Sequence, residues 1–159
     1  MKVLSIDPGF DRLGIAILEK NNGKEEVLYS ECLKATKGIE RESQILIIGN
    51  RIREVIDEWK PSDLAIETLF FNQNITSALG VAEARGVVIY EAMRAGLKIF
   101  EYSPQAIKIA VTGHGKADKR SVEAMVLRLV ELPKKDATLD DEVDAIALGI
   151  THLASRKGF

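Results

Sequence analysis

The sequence predicts an α/β fold in which a mixed five-stranded sheet is flanked by helices on both faces. Three observations indicate this fold: three apolar segments form a meander at the start, strands then alternate with helices, and consecutive helices end the chain. Hairpins followed by strand–helix–strand units favour a sheet with both antiparallel and parallel pairing, covered on two sides. The length of 159 residues fits one compact domain, which we expect to span residues 1–159.

The first three strands are indicated by apolar runs that end at turn residues. Residues 3–6 form a short apolar run that is closed by an Asp-Pro-Gly turn. Residues 13–18 form the second run, and an Asn-Asn-Gly turn separates it from a third strand over residues 26–35. These segments predict a β-meander.

The rest of the chain alternates between helical and extended patterns. Residues 41–60 place apolar side chains at helical spacing, and Pro61 ends this helix. Residues 63–66 predict a short strand with Glu67 at its end, and residues 98–102 predict the fifth strand. Further helices are predicted over residues 74–95, 105–111, 117–131 and 139–155.

Four acidic residues at the ends of predicted elements are candidate metal ligands. Asp7 and Glu67 each end an apolar strand, whereas Asp141 and Asp144 share one face of the last helix because they are three residues apart. A carboxylate at a strand end is costly to desolvate unless a cation compensates it, and Mg²⁺ prefers carboxylate oxygens. Three or four carboxylates from separate elements are a minimal set for two ions that act on a phosphodiester.

Each acid also has a plainer interpretation. Asp7 fits a turn before Pro-Gly, and Glu67 fits the surface after an edge strand. Negative charges in the first turn of the last helix are favoured by the helix dipole, and we interpret Asp140 and Glu142 in this way alone.

The charge is segregated along the chain. A net charge of -2 argues at first against nucleic-acid binding. Residues 108–135, however, hold seven basic and three acidic side chains, a net charge of +4, so the remainder carries -6. Lys116, Lys119 and Arg120 lie at a predicted helix start beside a glycine-flanked loop, where they could contact backbone phosphates. A solvated helix end is the alternative.

The aromatic, histidine and cysteine residues give weaker signals. Phe70 and Phe71 follow Glu67 in a polar loop, and from these residues alone we expect the rings to fold into the core. The alternative is a wedge or stacking platform for bases. His152 is interpreted as a surface residue or a cation at a helix end, and Cys32 as a buried apolar residue. With one cysteine, an internal disulfide and a cysteine-rich zinc site are excluded.

The cellular location is suggested by two features of the apolar residues. No apolar run approaches the ~20 residues of a membrane span. The first residues carry no long apolar segment typical of a secretory signal. We therefore expect a cytoplasmic protein without a membrane anchor.

Five stretches of the sequence, in order, resemble the RuvC family of Holliday junction resolvases, the crossover junction endodeoxyribonucleases. They are IDPGFDRLGIAI, AIETLFFNQN, ALGVAEARGV, EYSPQAIKIAVTGHGKADKRSV and DEVDAIALGITHL. The resemblance implies an RNase H-like fold and a metal-dependent endonuclease of recombination and DNA repair that nicks two strands symmetrically across a four-way DNA junction. It also implies a homodimer and cooperation with the RuvA–RuvB branch-migration machinery.

The resemblance also implies roles for individual residues. It assigns the metal site to four acids by position: Asp7, Glu67, Asp141 and Asp144. It implies that Phe70 contacts bases and that Lys108 and Lys119 lie near the scissile phosphate, where Lys119 neutralises charge. We expect two Mg²⁺ ions per site, with Mn²⁺ able to substitute. Leu13 stands where the family commonly has threonine, and Asp11 adds an acid near Asp7.

Paired incisions need two sites in an isologous assembly, and one predicted helix offers an interface. A narrow apolar seam with small residues in its middle runs along residues 74–95: Ile75, Leu79, Ala82, Gly86, Ile89 and Met93. Small residues permit close helix approach, so the seam is our candidate dimer interface. The alternative is that the seam packs on the chain's own sheet.

Two other function classes remain open. IDPGFDRLGIAI also resembles the first phosphate loop of the actin, Hsp70 and sugar kinase group, but that class needs a second lobe for which 159 residues leave no room. A junction-binding module without catalysis, or a general RNase H-like nuclease acting on RNA, is the third hypothesis. The presence of all four acids favours catalysis.

Overall fold

The computed structural model describes residues 1–70, 75–134, 138 and 140–156. Within these ranges the strands and helices follow the predicted order, three strands and then alternating elements. The strands are β1 (Lys2–Asp7), β2 (Arg12–Asn21), β3 (Lys24–Lys34), β4 (Asp63–Glu67) and β5 (Lys98–Tyr102). The helices are α1 (Arg41–Trp59), α2 (Ile75–Arg94), α3 (Pro104–Thr112), α4 (Lys119–Leu129) and α5 (Asp140–Ser155).

The five strands form one mixed sheet in the order β3-β2-β1-β4-β5. The meander pairs β1 with β2 and β2 with β3 antiparallel, whereas β4 pairs parallel with both β1 and β5. The tight turn between β2 and β3 places Asn22 and Gly23 at positive φ, which these two residue types tolerate best. The predicted mixed sheet is confirmed.

The two faces of the sheet are covered by different helices. Side chains alternate along a strand, so Leu4 and Ile6 of β1 face the core shared with α1 and α2, whereas Val3 faces the core shared with α3, α4 and α5. On β4, Leu64 and Ala65 divide in the same way. The prediction of helices on both faces is therefore confirmed. On the face covered by α5, the last residue of β1 and the last residue of β4 are both acids, Asp7 and Glu67.

The helix boundaries differ from the predicted ones where caps decide them. Asp118 is the N-cap of α4 and accepts a hydrogen bond from the Ser121 backbone N–H at 2.8 Å, so the helix begins at Lys119 rather than at Ala117. Ser103 caps α3 by accepting from the Ala106 N–H at 3.1 Å, and the helix includes Pro104. The predicted helix starts at positions 74 and 139 lie outside the described residues.

None of the helices in the part of the chain that the structure describes is long and apolar enough to cross a membrane.

Candidate active site

Asp7 and Glu67 end two neighbouring parallel strands on the same face of the sheet. In the β1–β4 register Ile6 lies opposite Ile66, so the two acids are the next residues of both strands. Because alternate side chains share a face, each acid points to the same side as Val3 or Ala65, which is the side covered by α5. The strand ends therefore present two carboxylates to one helix.

Helix α5 brings two more carboxylates against this edge. It packs closely on the sheet because glycines remove side chains at the contact. A Cβ at Gly14, the β2 partner of Asp7, would clash with the backbone of Asp141, and one at Gly149 would meet Leu18. The first turn of α5 therefore lies over the end of β1, with Asp141 and Asp144 toward the strand-end acids.

The electrostatics show that the carboxylates act on one another. Burial raises the pKa of Asp7 from its ordinary 3.8 to about 8, with further increases from the charges of Asp144, Glu67 and Asp141 and a decrease from Lys119. Burial and the Asp144 charge also raise the pKa of Glu67, although the Lys108 charge lowers it. The four predicted acids are therefore one electrostatic group, which lacks positive charge at its centre.

Two cations lie at the rim of this group. Lys119 Nζ is 3.1 Å from Asp140 Oδ2 and 3.3 Å from Asp144 Oδ2. Arg12 Nη2 is 2.7 Å from Asp140 Oδ1 and also pairs with Asp141. Burial raises the pKa of Asp144, and the Lys119 charge opposes this increase. Asp140, which we interpreted as a helix-dipole charge alone, thus joins both cations to the acidic group.

The donor set fits a divalent metal ion. Mg²⁺ prefers carboxylate oxygens, and a nearby cation would offset the burial and mutual repulsion that raise the pKa values of Asp7, Glu67 and Asp144. Across residues 1–70, 75–134, 138 and 140–156, no three Asp, Glu, His or Cys side chains are yet close enough to share one ion. Arg12 and Lys119 contact Asp141 and Asp144 instead.

An open cleft of about 560 Å³ leads to the acids. Asp7, Glu67, Phe70, Ser77 and Val81 are among its lining residues. The Phe70 side chain is 60% exposed at the rim, so the expectation from the residues alone that it enters the core is wrong. Its position agrees with the alternative of a base-contacting ring. Phe71 lies outside the described residues.

A second cavity of about 220 Å³ shares Glu67 with the first. Its lining includes Lys108, Lys119 and Asp144, so the structure brings these two lysines to the acids. Lys116 and Arg120 are exposed just before α4 and in its first turn, and they line neither cavity. Of the predicted basic contacts, two belong to the site and two flank it.

The interpretation of His152 as a surface residue or helix-end cation is wrong. His152 is fully buried, and its ring hydrogen-bonds to Asp63 and Tyr102, both at 2.9 Å. Cys32 is half-buried rather than buried, and its Sγ lies 3.8 Å from Asp141 Oδ2.

Sequence reasoning missed Arg12, Asp140 and His152 as polar partners at or near the site. Arg12 precedes an apolar strand, and Asp140 lies within an acidic run, so neither has a distinctive spacing. The one available signal was His152, because this histidine lies among the mostly apolar residues 145–153 of the last predicted helix.

Comparisons with known proteins agree with this geometry. The family model described as "Crossover junction endodeoxyribonuclease RuvC" matches residues 3–152. The RuvC endonuclease of Finegoldia magna is 38% identical over 160 residues, covering 99% of this chain and 95% of that protein. The RuvC of Pseudothermotoga lettingae is 38% identical, with 98% of this chain and 96% of that protein covered.

The solved structures give the same result. Thermus thermophilus RuvC in complex with Holliday junction substrate has a TM-score of 0.89 and 31% identity, covering 98% of this chain and 94% of that one. The yeast mitochondrial Holliday junction resolvase Ydc2, at 13% identity and a TM-score of 0.68, shares the fold. These matches confirm the RNase H-like α/β fold, and the chain belongs to the RuvC family of crossover junction endodeoxyribonucleases.

Proposed function

We propose that this chain is a metal-dependent endonuclease that resolves four-way DNA junctions by paired symmetric nicks in recombination and DNA repair. The observation that carries the proposal is the convergence of four carboxylates from β1, β4 and α5, where burial, together with the charges of the other three, raises the pKa of Asp7 to about 8. Family membership supports the substrate, since the related Thermus thermophilus RuvC is described in complex with a Holliday junction. A buried acidic group at the end of an open cleft suits a divalent cation and a phosphodiester.

Asp7, Glu67, Asp141 and Asp144 are the proposed ligands of two Mg²⁺ ions, with Mn²⁺ able to substitute. When bound, the ions activate the attacking water and stabilise the charge that develops on the leaving oxygen. The chain's own contribution is to hold Asp7 and Glu67 at the ends of two neighbouring strands, with Asp141 and Asp144 at the start of the helix packed against them. We propose that the products carry 5′-phosphate and 3′-hydroxyl ends.

The cations and the aromatic ring around the cleft are the proposed DNA contacts. Lys119 contacts Asp144 and lies at the second cavity, so it is placed to neutralise the negative charge of a phosphate near the acids. Lys108 borders the same cavity, and the exposed Lys116 and Arg120 extend the positive surface along the backbone. Phe70 stacks on a base or wedges between bases at the rim, and Phe71 is a second candidate.

A homodimer through α2 would supply the second active site. The side of α2 that faces the sheet is formed by Ala84, Val88 and Ala92, which are all buried. Its outer side exposes four large apolar side chains: Ile75, Leu79, Tyr90 and Met93. Gly86 is also exposed, and a Cβ there would meet no atom within 4 Å. The exposure of the seam residues Ile75, Leu79 and Met93 supports an interface between copies, whereas the seam residue Ile89 is half-buried against the chain's own core.

We further infer that the dimer works in the cytoplasm with the RuvA–RuvB branch-migration complex. This inference follows from family membership, and junction cleavage in the presence of that complex is its test.

The decisive experiment compares three substrates in Mg²⁺: a four-way DNA junction, a linear duplex and an RNA–DNA hybrid. We expect cleavage of the junction at paired, symmetry-related positions and little cleavage of the other two. An Asp7→Asn variant controls for contaminating nucleases, because it removes one ligand without changing side-chain size. Preferential cutting of the hybrid would indicate a general RNase H-like nuclease, and tight junction binding without cleavage would indicate a binding module.

A third measurement addresses the phosphate-loop resemblance. Titration calorimetry is expected to show no ATP binding in the presence of Mg²⁺, since that class needs a second lobe and the described residues form one sheet with its helices.

A further inference from the structure

A buried polar network outside the group of four carboxylates joins α5 to the parallel strands β4 and β5. His152 of α5 is fully buried, and Asp63, the first residue of β4, is 2% exposed. His152 Nε2 is 2.9 Å from Asp63 Oδ2, and His152 Nδ1 is 2.9 Å from the Tyr102 hydroxyl of β5. Three elements therefore meet at one imidazole ring.

The chemistry of the three groups fixes the direction of both hydrogen bonds. An ionised carboxylate only accepts, so His152 Nε2–H donates to Asp63. In the neutral ring Nδ1 is then the acceptor, and the Tyr102 hydroxyl donates to it. Burial supports the neutral ring because it lowers the pKa of His152, although Asp63 opposes this decrease. The ring is thus satisfied at both nitrogens in one orientation.

Aromatic and cationic contacts hold the imidazole in place. The Phe100 ring lies 4.8 Å from the His152 ring, centroid to centroid, at an angle of 56°. The Arg156 guanidinium lies 4.7 Å above Phe100, and its Nε is 3.6 Å from Asp63 Oδ2. Arg156 therefore gives the buried Asp63 carboxylate a second, charged partner at the protein surface.

The network is connected to the strand end that carries Glu67. Tyr102 is the direct β5 partner of Glu67 in the parallel register. The Tyr102 carbonyl accepts a hydrogen bond from the Thr68 backbone N–H at 2.9 Å, immediately after Glu67. Its hydroxyl meanwhile contacts His152, two helical turns after Asp144 on α5. Tyr102 thus connects the backbone beside one acid to the helix that carries two others.

We infer that Asp63, His152 and Tyr102 form a positioning network that sets the distance between Glu67 on β4 and Asp144 on α5. The inference rests on the proposed function, in which these carboxylates hold metal ions. The apolar contacts between α5 and the sheet resist separation but do not fix sliding along the helix axis, and the ion pair between Arg12 and Asp140 at the start of α5 is solvent-exposed. Two directional hydrogen bonds from one ring fix this register.

The test uses Tyr102→Phe in the full chain, which removes one hydroxyl and leaves the ring and backbone in place. We expect the single-turnover rate of junction cleavage to fall roughly 5–20-fold, since displaced reacting groups slow chemistry steeply. Junction affinity measured without divalent metal should change less than about twofold, because the DNA-contacting surface is untouched. Asp63→Asn, which keeps an oxygen acceptor for His152, should retain much more activity than Asp63→Leu.

Thr151→Val is the matched control. Thr151 is also buried in α5, and its hydroxyl donates to the Ala147 carbonyl within the same helix at 2.8 Å. This variant should lose comparable thermal stability and keep its cleavage rate within about twofold. Equal rate losses for Tyr102→Phe and Thr151→Val at matched melting temperature would overturn the inference.

A second readout separates this inference from the proposed function. Backbone amide resonances of Glu67 and Asp144 should shift in Tyr102→Phe and stay in place in Thr151→Val, without DNA or metal. If the wild-type chain cuts no junction, the proposed function fails and these shifts still decide the positioning role. If wild type cuts and neither the rate nor the shifts respond to Tyr102→Phe, the positioning network alone is wrong.

Discussion

Gly14 lies beneath the backbone of Asp141, and the absence of a side chain at Gly14 is what allows the contact. Gly14 is the register partner of Asp7 in the β1–β2 pair. A Cβ built on it would overlap the Asp141 carbonyl oxygen and lie 3.2 Å from Asp7 Cβ. The atoms in the way belong to the Asp141 backbone, which cannot move out of contact as the end of a flexible side chain can. One glycine therefore determines how closely α5 approaches the strand-end acids.

We expect Gly14→Ala to reduce junction cleavage more than it reduces stability. Overpacking at such a contact costs about 1–3 kcal/mol of unfolding free energy and moves the start of α5 away from β1. Ile52→Val, buried in the core on the other face, costs about 0.5–1.5 kcal/mol without touching the acids. Denaturant unfolding and single-turnover cleavage are the measurements. Equal activity in the two variants at equal stability would contradict the role given to Gly14.

Asp7→Asn should abolish cleavage and stabilise the metal-free protein at alkaline pH. The pKa of Asp7 is raised from 3.8 to about 8 in the folded state, so folding takes up a proton between these values. The free energy of unfolding therefore falls as pH rises through this range, because the folded state binds more protons than the unfolded state. Asparagine carries no charge and removes this loss.

The measurement is the melting temperature at pH 5 and pH 8, with and without Mg²⁺. In EDTA at pH 8 the variant should melt several degrees above wild type, because each kcal/mol of unfolding free energy shifts the melting temperature by roughly 2–4 °C. At pH 5 the difference should be much smaller. Mg²⁺ should raise the wild-type melting temperature at pH 8 more than that of the variant, with proton release on binding. A variant that is less stable than wild type at pH 8 in EDTA would contradict the argument from the raised pKa of Asp7.

The position of each acid within its own strand or helix follows from local rules, whereas the resemblance to the RuvC family was needed to group the four acids in one site. An acid directly after an apolar strand, on a strand that pairs parallel with its neighbour, must lie at the common edge. Two acids three residues apart must share a helix face. The alternation of Val3, Ser5 and Asp7 even gives the face of the sheet, since one side of β1 is read off every second residue.

The polar partners could not be predicted because they depend on three elements meeting in space. Asp140 contacts Arg12 across 128 positions and Lys119 across 21. His152 meets Asp63 across 89 positions. No spacing rule reaches over such separations, and a charged residue at a helix start has an adequate local explanation in the helix dipole. The expectation that Phe70 enters the core was wrong for a related reason. Aromatic rings are usually buried, whereas the Phe70 ring is exposed where it lines the cleft.

Phe70→Ala should weaken junction cleavage while leaving the fold intact. The ring is 60% exposed, so its removal changes little of the buried area. Loss of stacking on one base costs about 1–3 kcal/mol, or roughly 5–150-fold in the cleavage rate at low enzyme concentration. Phe70→Trp should restore most of the rate, and Leu46→Ala, an exposed apolar side chain on α1, is the control. If Phe70→Ala cleaves the junction at the wild-type rate, the stacking role belongs to another residue, and Phe71 is the first candidate.

Leu79→Glu should convert the dimer to a monomer. Leu79 is 52% exposed on the outer side of α2, so the charge does not disturb the core of one chain. Two copies related by a two-fold axis bring the introduced carboxylates together in an apolar contact, which is unfavourable. Leu127→Glu on α4 has the same 52% exposure at a different surface and should remain dimeric. Sedimentation velocity at micromolar concentration distinguishes them, and a monomeric wild type would refute the interface.

Asp140→Asn should lower cleavage through Lys119 and Arg12 rather than through metal binding. The carboxylate accepts from Arg12 at 2.7 Å and from Lys119 at 3.1 Å, so its removal takes one partner from each cation, while Arg12 still pairs with Asp141 and Lys119 with Asp144. The pairs of Asp140 are solvent-exposed, so the unfolding free energy should change by less than about 1 kcal/mol. We expect a cleavage rate roughly 3–10-fold lower, and a larger loss for Lys119→Ala, which removes the cation itself.

A double-variant comparison separates this route from a general charge effect. If Asp140 acts by holding Lys119, then Asp140→Asn should add little to the defect of Lys119→Ala, because the cation that it positions is already absent. Asp57→Asn is the charge-matched control, since Asp57 is an exposed α1 residue that pairs with Lys60 at 3.5 Å. Fully multiplicative losses in the double variant, or an equal loss in Asp57→Asn, would show that Asp140 acts on the overall field and does not position Lys119.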